Sequence, residues 1–332
     1  MEYSDDIIRT VAGRALPEWK LGAVKLELVS RSENVVFRVD ARDGLAYALR
    51  VHRPGYHTLA ELESETVWTA ALNEVGIGAP VAQQTHSGEH YAVVEVPGTD
   101  EVRHVGLIPW FEGVALNEKI EAVTCVADRD AQFNKLGSLM AKMHNQATAW
   151  QSPPGFERHS LDANGFMGDA PFWGRFWDIP QLTPKQRETL VAVRDLIHDQ
   201  LSGYGKKSQT YSMIHADLRS TNVLVLGDSV HVIDFDDAGF GWHQYDMAVA
   251  LSDYVMHEDY EAIKEALIAG YRSHRSISDD DLELLPLFIL IRALASLGWL
   301  NDRPEVDLYE FLPMLIEFTC EGASELLAEQ GA

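Results

Sequence analysis

Residues 211–246 read YSMIHADLRSTNVLVLGDSVHVIDFDDAGFGWHQYD. Gly227-Asp228-Ser229 separates two apolar runs, residues 223–226 and 230–233, a pattern that predicts a β-hairpin. A hairpin centred on Asp228 sets Leu226 opposite Val230, Leu224 opposite Val232 and Asn222 opposite Asp234. An amide and a carboxylate then meet at its open end, with His215 and Asp217 on the loop just before it. These are the residue types from which a magnesium–phosphate site is built.

The rest of the chain sets limits around that segment. Its 332 residues, 46% of them hydrophobic, suffice for a substantial core and suggest about two domains. With 27 basic against 51 acidic residues, the formal charge is −24. Such a balance argues against nucleic-acid and anionic-membrane partners, which need a positive surface. It suits a cationic substrate, and equally a protein kept soluble by its charge. Cys125 and Cys320 are too few for a disulfide framework and lack metal-ligand spacing. The acidic N-terminus shows no signal-peptide pattern, and the most apolar segment, 284–300, contains Pro286 and Arg292 and reads as a buried helix. A cytoplasmic location is the default expectation. Oligomeric state is not legible.

Residues 22–111 alternate between strand-like and turn-like pieces. Leu45, Tyr47, Leu49 and Val51 share one face of a strand and Ala46, Ala48 and Arg50 the other. Thr58 and Glu61 form a capping box that opens a helix, with Gly76 just past its end. Residues 81–86 and 91–96 flank a turn at 87–89 and predict a second hairpin, and 102–109 a further strand. Beyond Gly113 the pattern is helical: Phe133, Leu136, Met140, Met143 and Ala147 recur at three-and-four spacing. Thr183-Pro184 opens another helix that Gly203 ends, Ser278 and Asp281 open a third, and 305–329 form an amphipathic close. Residues 152–155 and 164–171 read as loop-rich insertions.

Glu65 shares a helix face with Trp68 and Leu72 and so points inward. A buried carboxylate needs a partner, and Arg50 is placed to supply one; the alternative is a surface Arg50 and a boundary Glu65. Asp217 has the chemistry to orient and deprotonate an attacking hydroxyl, and Asn222 and Asp234 offer the hard oxygens that Mg²⁺ prefers. Asp236 could serve the metal or a substrate ammonium. Taken singly these residues are ordinary turn formers; the joint spacing H-x-D-x4-N followed by I-D-F is specific.

On His215-Ala216-Asp217 with Asn222, on 233–236 (IDFD), and on Gly241 through Asp246-Met247-Ala248, the chain resembles the aminoglycoside phosphotransferase/choline kinase-like family. That family belongs to the protein-kinase-like superfamily, with homoserine kinase type II and bacterial stress-response kinases as relatives. Residues 136–144 (LGSLMAKMH) look like the helix before the catalytic loop. The resemblance spans roughly residues 24–253.

It implies an α+β, bilobal protein-kinase-like fold. Residues 1–108 would form an N-terminal nucleotide-binding lobe, a small antiparallel sheet with one helix. Residues 109–113 would be a hinge, and 114–332 a larger, mainly helical catalytic and substrate-binding lobe. It implies an ATP- and Mg²⁺-dependent phosphotransferase acting on a hydroxyl of a small molecule such as an amino alcohol or aminoglycoside. The alternative is a Ser/Thr protein kinase of the bacterial stress-response type.

Carried over by position, Asp217 is the catalytic base and Asn222 and Asp234 are the metal ligands. Arg50, held by Glu65, is the phosphate-binding cation. Pro109, Trp110 and Phe111 meet adenine, Ser32 offers a hydroxyl to the phosphates, Asp246 braces the catalytic loop and His215 orients it. Two departures stand out: residues 30–34 (SRSEN) lack the glycines expected over the phosphates, and Arg50 replaces a common lysine.

Other signals are weaker. Residues 203–208 (GYGKKS) lack the first glycine of a P-loop, because position 200 is Gln, and Gly76-Ile77-Gly78 lacks the third glycine of a dinucleotide fingerprint. His215, Asp217 and His243 mimic the ligand set of non-haem iron sites. Phe172, Trp173, Phe176, Trp177, Trp242 and Tyr245 offer either a cation–π cage for an amine or part of the core.

Overall fold

The computed structural model describes residues 3–22, 25–32, 34–304 and 306–330. Its backbone separates into two compact units: 1–114 with 152–157 and 224–233, and 115–151 with 158–223 and 234–332.

The first unit is built on a five-stranded antiparallel sheet. Its strands are β1 (Lys25–Arg31), β2 (Val35–Asp40), β3 (Ala46–Val51), β4 (Tyr91–Glu95) and β5 (Val102–Pro109), in the order β1-β2-β3-β5-β4. β3 is central and pairs with both β2 and β5, so Arg50 lies between Val36 and Gly106. Helix α1 (Asp5–Ala15), which the sequence reading did not anticipate, buries Ile8, Val11, Ala12 and Ala15 in one core with Phe37, Val39, Leu49, Val51, Val105 and Leu107. Burial of each large side chain there is worth about 1.5–3 kcal/mol.

Helix α2 (Leu59–Glu74) starts at the expected box: Glu61 N donates to Thr58 Oγ1, and Thr58 N to Glu61 Oε2. Gly76, at φ +82°, follows its last turn. Residues 81–86 are not a strand. β4 pairs with β5 instead, and the segment is held by single bonds, Gln83 N to Leu107 O, Thr85 N to Glu89 O and His86 N to Glu18 O.

β9 (Val223–Leu226) and β10 (Ser229–Val232) form the predicted hairpin, in a sheet of order β10-β9-β6 with β6 (Val114–Ala115). Only Gly227 and Asp228 separate the strands, and Gly227 sits at φ +59°. A two-residue turn pairs the residues flanking it. The facing of Leu226 with Val230, Leu224 with Val232 and Asn222 with Asp234 is therefore shifted by one residue. Residues 224–233 group with the first unit, where Val232 N donates to Gly78 O at 2.8 Å.

The second unit is mainly helical. It contains α3 (Leu116–Ala122), α4 (Val126–Ala149), α5 (Ala163–Met167), α6 (Pro184–Tyr204), α7 (His243–Ser252), α8 (Tyr260–Arg272), α9 (Asp279–Leu282), α10 (Leu285–Asn301) and α11 (Leu312–Gln330). A small sheet joins β7 (Ser160–Leu161), β11 (Gly239–Trp242) and β8 (Tyr211–Ile214). α4 and α8 cross where Gly137 and Gly270 bring the backbones together. A Cβ at Gly137 would lie 2.0 Å from Leu267 O, and one at Gly270 1.9 Å from Asn134 O.

α6 runs through Gly203 and ends at Gly205, whose φ of +74° only glycine adopts freely. α5 occupies part of the expected 164–171 loop, and α11 begins at Leu312. Ser278 caps only the single turn of α9; the apolar α10 follows as a separate core helix, burying Phe288, Ile291, Leu294 and Leu297.

Candidate active site

In the first unit, Arg50 Nη1 donates to Glu65 Oε1 at 2.6 Å, with side chains only 7% and 5% exposed. The pair forms because β3 is a central strand and α2 turns Glu65 inward beside buried Trp68 and Leu72. A buried ion pair of this kind loses about 3–5 kcal/mol when one partner is removed. Ser32 follows the end of β1 and donates its amide to Asn34 O; Ser30 and Arg31 belong to the strand, and Glu33 lies outside the described residues. Pro109 still belongs to β5. Trp110 donates its amide to Ala46 O and carries the Arg38 guanidinium over its ring, while Phe111 stacks on His231 at 4.2 Å.

In the second unit, β8 leads into His215-Ala216-Asp217. Ala216 stands at φ +64°, a left-handed conformation that costs a non-glycine residue about 1–3 kcal/mol unless its surroundings enforce it. Asp246, in the first turn of α7, supplies the enforcement. Its Oδ1 accepts the Ala216 amide at 2.7 Å, and its Oδ2 accepts the His215 amide at 3.1 Å. His144 Nε2 lies 3.0 Å from Oδ2.

Asp246 is fully buried, and burial pushes its carboxyl up to about 6 against the opposing pull of His215 and the two amides. Burial, then the Arg275 charge, drives His144 well below its ordinary value, so its ring is neutral. It therefore donates from Nε2 to Asp246 and accepts from Tyr271 Oη at Nδ1, 3.0 Å away. His215 is fully buried, packs on Phe235 with ring centroids 4.6 Å apart, and accepts the Asp217 amide at Nδ1.

Asn222 closes a 3₁₀ turn over residues 220–222, and its Nδ2 donates to both the backbone O and Oδ2 of Asp217, each at 2.9 Å. With the amide nitrogen committed, Oδ1 is its remaining acceptor. The other oxygen of Asp217, Oδ1, accepts from Arg292 Nη2 at 2.7 Å. Burial works against the Arg292 charge, but Asp217 and Tyr245 beside it hold the guanidinium firmly protonated.

Asp234 is exposed and left-handed at φ +66°, and Asp236 is buried. Beneath them Arg158, 8% exposed, donates from Nε to Ala238 O and from Nη2 to Phe235 O and Asp236 O at 2.5–3.1 Å. Asn222 and Asp234 thus reach their places from a 3₁₀ turn and a left-handed bend, not as facing residues in a hairpin.

Arg292, Arg219 and Arg158 were missed as site residues. Arg292 carried a signal: one charge inside an apolar helix needs a buried partner. Arg219 forks onto Asp253, Nε to Oδ2 at 3.1 Å and Nη2 to Oδ1 at 2.9 Å. Both arginines line a cavity of about 220 Å³ with Ser252, Asp253, Ser296 and Phe318. Trp173, Phe176, Trp177, Trp242 and Tyr245 are buried and form core, while Phe172 is half-buried and stacks on His159 with ring centroids 3.7 Å apart. His243 stacks on His144 and bonds Ser212 Oγ at 2.9 Å, so its ring is committed away from Asp217.

Residues 26–282 match the phosphotransferase enzyme family. The chain belongs to that family: it is a kinase that transfers phosphate from ATP to a hydroxyl of a small molecule, on a protein-kinase-like fold. A microcompartment-associated aminopropanol kinase superposes with a TM-score of 0.82 at 32% identity, over 97% of this chain and 98% of the other. An amicoumacin kinase, solved with AMP-PNP and Ca²⁺, superposes at 0.77 with 17% identity over 96% and 94%. The homoserine kinase of Agrobacterium fabrum is 30% identical over 219 residues, 64% of this chain and 60% of its own length.

Proposed function

We propose that the enzyme phosphorylates a short amino alcohol or hydroxy-amino acid, using ATP and Mg²⁺, with Asp217 as the base. In this reading the acceptor hydroxyl gives its proton to Asp217 as its oxygen bonds to the γ-phosphorus, and the bridging P–O bond breaks to release ADP. Such transfer asks the protein chiefly for positioning and charge. Asn222 Oδ1 and the exposed Asp234 are the ligands for Mg²⁺, which takes hard oxygen donors and keeps several waters; the bound ion would neutralise phosphate charge. Arg50, fixed by Glu65, is the phosphate cation of the first unit. Ser32 and the 109–111 backbone are its nucleotide contacts.

The observation that carries the acceptor class is the cavity lined by Arg292, the ion-pair partner of Asp217. At about 220 Å³ it falls below the roughly 300–1,000 Å³ of drug-sized sites, which favours a short acceptor over an aminoglycoside. The likeness to an aminopropanol kinase and to homoserine kinases supports the same choice. Initial rates of ADP formation with 1-amino-2-propanol, ethanolamine, homoserine, choline, kanamycin and casein provide the test. Turnover with one of the short acceptors is expected. Turnover confined to kanamycin or casein contradicts the assignment.

A further inference from the structure

We propose that Arg292 is the positioning residue for Asp217, the guanidinium that aims the catalytic carboxylate at the acceptor. The inference rests on the reading of Asp217 as the base. Both oxygens of Asp217 are engaged, each from a different part of the fold. Asn222, five residues on, holds Oδ2 and the Asp217 carbonyl, so it fixes the loop only against itself. Arg292 holds Oδ1 from α10, 75 residues away, and so ties the carboxylate to the helical core.

Three further observations point to function over packing. Arg292 is the sole charged residue in the 17 of α10, and a charge whose side chain is only 15% exposed on an apolar helix needs a compensating role. The cation nearer to Asp217 in sequence, Arg219, is engaged in a two-oxygen fork on Asp253. Arg292 also lines the 220 Å³ cavity, so the group that orients the base borders the space assigned to the acceptor. A small displacement of a reacting group can cost about a hundredfold in rate, and a single strong contact from a rigid helix is a way to prevent it.

The test compares Arg292→Met, Arg292→Ala and Asp217→Asn on the acceptor that supports turnover. Methionine removes the charge while keeping an unbranched side chain on the apolar helix, so it is the variant that decides if alanine fails to fold. Arg292→Met is expected to lower kcat about a hundredfold while leaving KM for ATP within about threefold of wild type. In Arg292→Ala, added guanidinium ion should restore turnover with saturation, and equal urea should not. Asp217→Asn should be inactive with or without guanidinium. A near-normal kcat in Arg292→Met beside an inactive Asp217→Asn overturns the role of Arg292 and leaves the base intact. Turnover in Asp217→Asn as well means that the base reading itself has failed.

Discussion

Asp246 carries the clearest pH dependence. Burial raises its carboxyl to about 6, so between the ordinary carboxylate range and that value the folded chain binds a proton that the unfolded chain does not. Protonation of this one group therefore favours the fold on acidification, and the stability it contributes is lost as pH rises through about 6. Function runs the other way, because a protonated Asp246 accepts more weakly from the His215 and Ala216 amides that set the Asp217 loop. The kcat profile is expected to fall below pH about 6, at a temperature well under the melting point and reversibly. An acid limb absent from kcat over that range contradicts this role. Arg50 and Glu65 were legible from strand and helix phase, Asp217 and Asn222 from residue type and spacing, and Asp246 through the family resemblance alone. Arg158 and Arg292 were not, since their partners lie 75 or more residues away and no local pattern encodes such a pairing.

The elements were legible where short-range chemistry defines them. Thr58 with Glu61 and Thr183 ahead of Pro184 mark helix starts, and both close as capping boxes. Ends were harder: Gly203 and Gly205 are equivalent in the sequence, but only Gly205 takes the left-handed backbone. Residues 81–86, expected as a strand from the turn that follows them, pair with nothing continuous, because β5 selects β4.

The crossing of α4 with α8 makes a sharper test of packing. Both Gly137 and Gly270 leave no room for a Cβ against the facing carbonyl, so either one changed to alanine must force the helices apart. Each substitution is expected to destabilise by about 1–3 kcal/mol, read as a lower urea midpoint with an unchanged m-value. Because the two glycines serve one crossing, the double variant should fall short of the sum. Unchanged midpoints contradict the close approach.

For the whole molecule, the period of the hydrophobic pattern gives the architecture, an antiparallel sheet unit followed by a helical one. The pattern could not show that 152–157 and 224–233 group with the first unit, since unit membership depends on contacts far apart in sequence. Nor does it reveal the cavity beside Arg292, which arises from loop and helix residues that share no motif. The reaction follows from the family, while the proposed acceptor class rests on the volume of one cavity. The most direct measurement is phosphorus NMR of the product formed from ATP and a short amino alcohol, by wild type and by Asp217→Asn at matched concentration. The account predicts a phosphomonoester resonance with wild type and a loss of at least about a hundredfold in its rate of appearance with the variant. Equal rates for the two proteins, or ADP with inorganic phosphate and no phosphomonoester from wild type, would contradict it.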